Sequence, residues 1–314
     1  LKFEALPAKY QKIFSDFAEN YSNIVGKEEG LRVFSKFAEA LALLEKNKPH
    51  FDHFHRKVRS PFDFYALGLD LFRPIVNLDQ SLLIGKEHIE TIEELCKNKE
   101  NVFLFANHQS EADPQLISLL LEKQFGALAE EMIFVAGERV ITDPLAIPMS
   151  MGRNLLCIYS KKYFDIHKDR RLQMQEHNKK SIQVLGSLLD QGGACIYIAP
   201  SGGRDRPDKN AVFQVAEFDP QSIQLCRLLG SKSKQKTHFF PLALNTHGVL
   251  PPPDGLQVEL GEKRKINRSA IGAAFGKEIS FPEFGTQDKE ERKTLGAKYV
   301  CQLVKNLYEQ LYLD

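Results

Sequence analysis

Val102-Phe103-Leu104-Phe105-Ala106 runs directly into Asn107-His108-Gln109-Ser110-Glu111-Ala112-Asp113-Pro114. The first five residues are all apolar, which marks a strand covered on both faces rather than one with a wet side. Asp113-Pro114 reads as a helix start, with the aspartate as N-cap and the proline at the first helical position. The polar stretch between them therefore joins a buried strand's carboxyl end to a helix. Open α/β sheets gather their ligands at that end.

The same alternation continues in both directions. Helix Lys86–Lys97 is expected before this strand. Helix Pro114–Phe125 should lead to strand Met132–Ala136, and a short helix after Asp143-Pro144 to strand Leu155–Tyr159. Helix Lys179–Asp190 should precede strand Ala194–Ala199, and helix Gln221–Leu229 strand Phe239–Leu244. Gln257–Leu260 and Lys277–Phe281 read as edge strands, and Asp288–Tyr312 as a closing helix. Repeated strand–helix alternation predicts an α/β fold with a mixed, largely parallel sheet flanked by helices.

The front of the chain has a different period. Ile13, Phe14, Phe17, Ala18, Tyr21, Ile24 and Val25 recur at helical steps, as do Leu31, Phe34, Phe37, Ala38, Leu41 and Leu44. Pro49, Pro61 and Pro74 break the segment between these helices and residue 78. The reading is a small amino-terminal helical bundle over residues 1–78 and an α/β domain over residues 79–314.

Bulk properties exclude several classes. The net charge is +1 across 314 residues, so nothing global argues for nucleic acid, and any electropositive site is local. Cys96, Cys157, Cys195, Cys226 and Cys301 are odd in number and widely spaced, with no CxxC. They read as free thiols, with neither a zinc site nor a disulfide framework. No apolar run approaches the roughly 20 residues that span a bilayer. Leu1-Lys2-Phe3-Glu4 has neither a signal peptide's apolar core nor a transit peptide's bias. A soluble protein is the expectation.

His108 and Asp113 are separated by four residues, a spacing that can set a carboxylate against an imidazole. A carboxylate on one ring nitrogen fixes the tautomer and makes the other nitrogen a better base. No HExxH-like spacing accompanies the histidine, so no metal is expected. A nucleophile elbow is also missing: Pro200-Ser201-Gly202-Gly203 lacks its leading glycine. Direct attack by a substrate hydroxyl fits better than a covalent enzyme intermediate. The natural oxyanion donors would be backbone amides near the helix start at Pro114.

Pro200-Ser201-Gly202-Gly203-Arg204-Asp205-Arg206-Pro207 looks built to hold an anion. Arg204 and Arg206 offer planar forks that match phosphate oxygens. Gly202 and Gly203 would let backbone N–H groups approach, and Lys162 would add a point charge. Arg139 is a secondary candidate. Lys232, Lys234 and Lys236, Lys179-Lys180 and Lys263-Arg264-Lys265 are basic clusters that an acidic partner could use, although such loops are most often simply solvated.

These motifs resemble the glycerolipid acyltransferases with their HxxxxD signature. Ala136–Val140, Asp143-Pro144-Leu145, Gly152–Leu155, Tyr159-Ser160-Lys161-Lys162, Ala199–Asp208, Pro241–Leu244, Pro251-Pro252-Pro253 and Gly261-Glu262-Lys263-Arg264 narrow the likeness to the soluble, plastid-type glycerol-3-phosphate acyltransferases. The resemblance covers roughly residues 101 to 281. It implies acyl transfer from a thioester to the sn-1 hydroxyl of glycerol 3-phosphate, giving 1-acyl-glycerol 3-phosphate. It implies His108 as base with Asp113 as its partner, and Lys162, Arg204 and Arg206 on the phosphate. The partners implied are glycerol 3-phosphate and acyl-carrier protein or acyl-CoA as co-substrate, with no separate cofactor. The setting implied is a bacterial cytoplasm or a plastid stroma, with peripheral membrane contact left open by the amphipathic product.

One position departs from the plant pattern, which has histidine directly after the lysine pair. This chain has Tyr163, which can donate a hydrogen bond to phosphate but carries no positive charge. The alternatives are an acyltransferase acting on lysophosphatidate or another acceptor, and a non-catalytic module that binds lipid phosphate or carrier protein.

Overall fold

The computed structural model describes residues 8–160, 164, 166, 168–210, 212–252 and 264–312, with only the backbone described at residue 9. Its helices are α1 (Ala8–Val25), α2 (Lys27–Lys46), α3 (Phe64–Phe72), α4 (Lys86–Lys97), α5 (Asp113–Glu131), α6 (Arg139–Thr142), α7 (Ile147–Ser150), α8 (Arg171–Gln191), α9 (Pro220–Lys232) and α10 (Lys289–Tyr308). Its strands are β1 (Phe54–His55), β2 (Leu82–Ile84), β3 (Asn101–Ala106), β4 (Ile133–Ala136), β5 (Asn154–Cys157), β6 (Cys195–Ile198), β7 (Arg206–Pro207), β8 (Phe213–Gln214), β9 (Thr237–Asn245) and β10 (Gly272–Phe275).

Eight strands form one sheet in the order β1-β5-β4-β6-β3-β9-β10-β2. The five from β5 to β9 are mutually parallel. β1 is antiparallel to β5 and β10 antiparallel to β9, while β2 is parallel to β10. The expected mixed, largely parallel sheet is what forms. All six residues of β3 are buried, as its unbroken apolar run predicts.

Side-chain alternation along the strands divides the core into two faces. Val102, Leu104 and Ala106 pack with Ile89 and Ile92 of α4 and with Ile117 and Leu121 of α5. Phe103 and Phe105 point the other way, towards Leu185 and Leu189 of α8, Ile223 and Cys226 of α9, and Val300 and Val304 of α10. α5 is buried on both sides. Its Leu116 and Leu119, with Ala112 just before it, face a third apolar cluster built from Phe14, Tyr21, Phe34 and Phe37 of α1 and α2 and Leu67 and Leu71 of α3. A helix apolar all round belongs between layers. The amino-terminal helices thus form an outer layer resting on α5, the helix that follows His108.

Some expectations need correction. α5 does not end at Phe125 but kinks there (φ −128°, ψ 30°) and continues to Glu131, because Leu128 and Ala129 resume burial. Residues 277–281 form no strand; the strand lies earlier, at Gly272–Phe275. Its Gly-Ala-Ala-Phe sequence lacks the β-branched residues that mark strands. Gly272 is closely packed, since a Cβ there would meet the Leu311 side chain at 3.0 Å. The expected strand at 257–260 lies outside the described residues. At Gly192, which follows α8, φ is +76° and a Cβ would come within 2.1 Å of the Lys99 carbonyl oxygen, so the turn into β6 depends on glycine.

Candidate active site

Four parallel neighbours, β4, β6, β3 and β9, end on one edge of the sheet, and the polar residues follow their carboxyl ends. Arg139 follows β4, His108 follows β3, Arg204 follows β6 and Thr246 follows β9. This is the crevice position that open α/β sheets use for ligands.

His108 Nδ1 lies 2.8 Å from Asp113 Oδ2. The imidazole is 30% exposed and the carboxylate 1%, so the ring looks outward from a buried partner. Asp113 also accepts from Gln109 N at 3.0 Å, Ser110 N at 3.1 Å and Thr246 Oγ1 at 2.5 Å. Four donors on two oxygens suit an acceptor-only carboxylate. The histidine proton then belongs on Nδ1, which leaves the Nε2 lone pair available to a substrate hydroxyl. Asp113 is therefore not the N-cap that its sequence context predicts. Its side chain reaches back to the loop amides, and the helix has no side-chain cap.

The amides at the helix start are engaged as well. Gln115 N and Leu116 N both donate to Ala112 O, and Pro114 has no N–H.

The loop after β6 folds onto the loop after β3. Asp205 N donates to His108 O at 2.6 Å. The Asp205 side chain is fully buried and accepts from Asn107 Nδ2 at 2.8 Å, Ala216 N at 2.9 Å and Gln109 Nε2 at 3.4 Å. Burial pushes its carboxyl up to about 6, opposed by those hydrogen bonds. Asn107 completes the junction through Leu244, donating to its carbonyl at 3.0 Å and accepting from its N–H at 2.7 Å. Gln109 Oε1 accepts from Thr246 N, which ties in the loop after β9.

Gly202 adopts φ +62° in the turn after β6, where glycine is the favoured residue. Its N–H donates to Ala199 O, so that amide serves the turn rather than an anion. The Gly203 carbonyl accepts from Ser201 Oγ. Arg204 and Arg206 flank the inward-pointing Asp205. Arg204 Nη1 donates to Glu111 Oε1 at 3.2 Å, which places a guanidinium beside the His108–Asp113 loop. Desolvation lowers the Arg204 pKa; Glu111 opposes that, while Arg206, Arg264 and Arg139 reinforce it. Arg206, Arg264 and Arg139 therefore all lie within electrostatic reach of Arg204 at the sheet's carboxyl edge. Such a cluster favours an anion between its members.

Arg206 lies on β7, which pairs with β8 as a short hairpin. The hairpin's Phe213 stacks on His247 with ring centroids 3.8 Å apart, and His247 Nδ1 is 3.2 Å from Gln109 Oε1. Lys162 and Tyr163 lie outside the described residues. Arg153, which also follows an apolar segment, belongs elsewhere: it is buried over the Tyr65 ring and donates to Ser118 Oγ of α5. Glu138, beside Arg139, pairs with Arg170 at 3.3 Å.

Arg264 is the residue that sequence reasoning misplaced. Grouped with Lys263 and Lys265 it reads as part of a solvated basic patch. Instead its side chain is 6% exposed, and it donates to Glu111 Oε2 at 2.8 Å and to Asp143 Oδ2 at 3.0 Å. Among the described residues there is no cluster of three His, Cys, Asp or Glu side chains able to hold a metal. No described helix is long and apolar enough to cross a membrane.

Comparison with known proteins agrees with this arrangement. Residues 83–245 match the acyltransferase family, a span that includes His108, Asp113, Arg204 and Arg206. The chain is 40% identical to the glycerol-3-phosphate acyltransferase ATS12, chloroplastic, of Cucurbita moschata, over 98% of this chain and 68% of that one. It is 36% identical to the chloroplastic glycerol-3-phosphate acyltransferase of Arabidopsis thaliana, over 97% of this chain and 68% of that one. The chloroplastic enzyme of Spinacia oleracea is 39% identical over 83% of this chain, a match that spans 56% of its own length. The chain belongs to the acyltransferase family and, within it, to the glycerol-3-phosphate acyltransferases.

Proposed function

We propose that this protein transfers a fatty acyl group from a thioester to the sn-1 hydroxyl of glycerol 3-phosphate, with His108 as general base. The observation that carries the reading is the Glu111 bridge: the loop that pairs His108 with Asp113 also holds the Arg204 guanidinium. A hydroxyl-activating base on the same loop that holds an arginine suits a phosphorylated alcohol. The names of the relatives support the same acceptor.

In this reading Arg204 and Arg206, with Lys162 and Tyr163 from the segment after β5, hold the phosphate. His108 Nε2 takes the proton of the sn-1 hydroxyl as that oxygen attacks the thioester carbonyl. Asp113 stabilises the imidazolium, and the proton passes to the departing thiolate. A base of this kind contributes on the order of a hundred- to ten-thousand-fold. Holding the acceptor in place contributes comparably or more. No covalent enzyme intermediate and no separate cofactor are required.

Acyl-carrier protein and acyl-CoA are both candidate donors. The chloroplastic relatives favour a plastid setting. The test is to mix an acyl thioester with glycerol 3-phosphate and follow free thiol and the acylated product. Release that depends on glycerol 3-phosphate and vanishes in His108→Ala supports the reading. No release with either donor would leave a binding module instead.

A further inference from the structure

We propose that the cavity between α9 and β9 binds an amphiphilic carboxylate, with Arg227 on the carboxylate and Phe239 and Phe281 against the apolar body. The cavity has a volume of about 400 Å³, and its lining includes Gln224, Arg227, Leu228, Thr237, Phe239 and Phe281. That size falls in the range that holds small organic ligands. In the pairing of β3 with β9, Thr237 stands beside Asn101, whereas Leu242 stands beside Ala106, two residues before His108. The cavity therefore opens at the amino-terminal edge of the sheet, opposite the candidate active site.

The helix supplies the polar wall. Gln224, Arg227 and Leu228 are spaced by three and four residues and share one face of α9. Among the described residues, neither the Gln224 amide nor the Arg227 guanidinium has a hydrogen-bond or ion-pair partner. The guanidinium carbon lies 4.0 Å from the centre of the Phe281 ring, a cation–π contact that leaves its N–H groups unused. Desolvation lowers the Arg227 pKa, and the charge of Arg292 on α10 lowers it further, with no carboxylate opposing them. Arg292 donates to the Thr286 carbonyl at 3.2 Å and has no carboxylate partner either. The other wall is apolar. Phe239 and Phe281 meet edge to face with centroids 6.0 Å apart, and Leu228 is 44% exposed beside them. Gly230 brings the helix close to the strand, since a Cβ there would meet Thr237 Cβ at 3.0 Å and Phe239 Cζ at 3.2 Å.

One guanidinium and one neutral amide suit a single negative charge. The planar fork of Arg227 matches both oxygens of a carboxylate, and the Gln224 amide can donate to one of them. The ligand's apolar body then covers phenylalanine and leucine surface that is otherwise wet. Neither Arg227 nor Gln224 takes part in the reaction proposed above, so the two readings stand or fall separately.

The experiment is calorimetric titration of the full chain with octanoate, butyrate, octylamine and inorganic phosphate, repeated for Arg227→Gln, Gln224→Glu and Arg206→Ala. Octanoate is expected to bind saturably and at least tenfold more tightly than butyrate. Each fully buried methylene is worth about fourfold, so partial burial of the four extra ones is enough. Octylamine, with the same chain and the opposite charge, should bind at least tenfold more weakly than octanoate. Arg227→Gln should lose at least tenfold in octanoate affinity. Gln224→Glu should lose as much, because it gives Arg227 a carboxylate partner three residues away and repels the ligand. This exchange on the helix surface carries the test if Arg227→Gln does not fold. Arg206→Ala should leave octanoate affinity within twofold. No saturable octanoate binding, or a native-like affinity in either folded α9 variant, overturns the inference. So does octanoate binding no tighter than butyrate or inorganic phosphate, since the apolar wall then does nothing. A loss in Arg206→Ala without one in the α9 variants places the carboxylate at the other edge of the sheet and overturns it as well.

Discussion

Asn107 Nδ2 and Asp205 Oδ2 lie 2.8 Å apart in the interior, and both residues are fully buried. Asn107 immediately precedes His108, the proposed base, and Asp205 stands between Arg204 and Arg206, the proposed phosphate ligands. This hydrogen bond therefore sets the distance between the two halves of the site. The Asp205 N–H to His108 carbonyl bond reinforces it from the backbone. Asn107 and Asp205 thus fix how His108 stands relative to Arg204 and Arg206.

Asn107→Ala should accordingly damage both stability and turnover. It removes a donor to Asp205 and strands the N–H and C=O of Leu244. Each buried group left unpaired costs about 1–3 kcal/mol, so a loss of roughly 3 kcal/mol is expected. Denaturant unfolding measures it, and a loss below about 1 kcal/mol would contradict the junction's importance. The folded fraction should also turn over more slowly, because base and arginines are no longer registered.

Arg206→Ala addresses the anion half. It removes one guanidinium from the cluster around Arg204 without touching the His108–Asp113 pair. KM for glycerol 3-phosphate should rise at least tenfold and kcat fall less. Steady-state kinetics at saturating donor decide it. An unchanged acceptor KM would remove Arg206 from the phosphate site.

These particulars show what was legible in the sequence. β3 was readable because burial on both faces forces a continuous apolar run, and the same holds for β6 and β9. β10 was not, because its Gly-Ala-Ala start, with Gly272 packed close to Leu311, carries no β-branched strand signal. The histidine–aspartate pairing was readable from spacing, but the cap assigned to Asp113 was wrong. Local preference sees the proline and the helix; it cannot see that Thr246, far along the chain, will supply a hydroxyl. Asp205 left a fainter mark, since alternation in an extended Arg-Asp-Arg segment sends the middle side chain opposite to its neighbours. Arg264 belongs to the Gly261–Arg264 segment that carries part of the family resemblance, but its partners Glu111 and Asp143 are reached only through the fold.

A pH-dependent contribution to stability comes from His238 in β9. Its Nδ1 and Nε2 each lie 2.6 Å from a glutamate oxygen, of Glu278 and Glu100 respectively. Burial lowers its pKa, but the two glutamates outweigh that and raise it above the ordinary 6.5. A histidine with a raised folded-state pKa stabilises fully below its unfolded value, and loses that contribution as pH rises through the folded value. His238→Gln should therefore cost up to about 1 kcal/mol at pH 6, allowing for solvent screening of the partly exposed glutamates. The cost should shrink at pH 8.5. Thermal unfolding of both proteins at the two pH values measures it, with roughly 2 °C expected at the acidic end. An equal difference at both pH values would rule out the ion pairs as the cause.

Thr246 separates positioning from binding within the base. Its hydroxyl is fully buried and donates to Asp113 Oδ1 at 2.5 Å, opposite the oxygen that takes His108. Thr246→Val keeps the shape and removes the donor, leaving a buried carboxylate oxygen short of one partner at a cost of about 1–3 kcal/mol. Gln109 N, Ser110 N and His108 still hold the carboxylate, so the fold should survive. Asp113 is then less firmly fixed, and the imidazole it orients spends less time in the productive geometry. Turnover should fall about tenfold, while KM for glycerol 3-phosphate stays within twofold, because the arginines are untouched. Thr246→Ser restores the hydroxyl and should restore most of the rate. A valine variant that keeps full kcat, or a serine variant no better than valine, would show that the Asp113 contacts within its own loop are sufficient to orient His108.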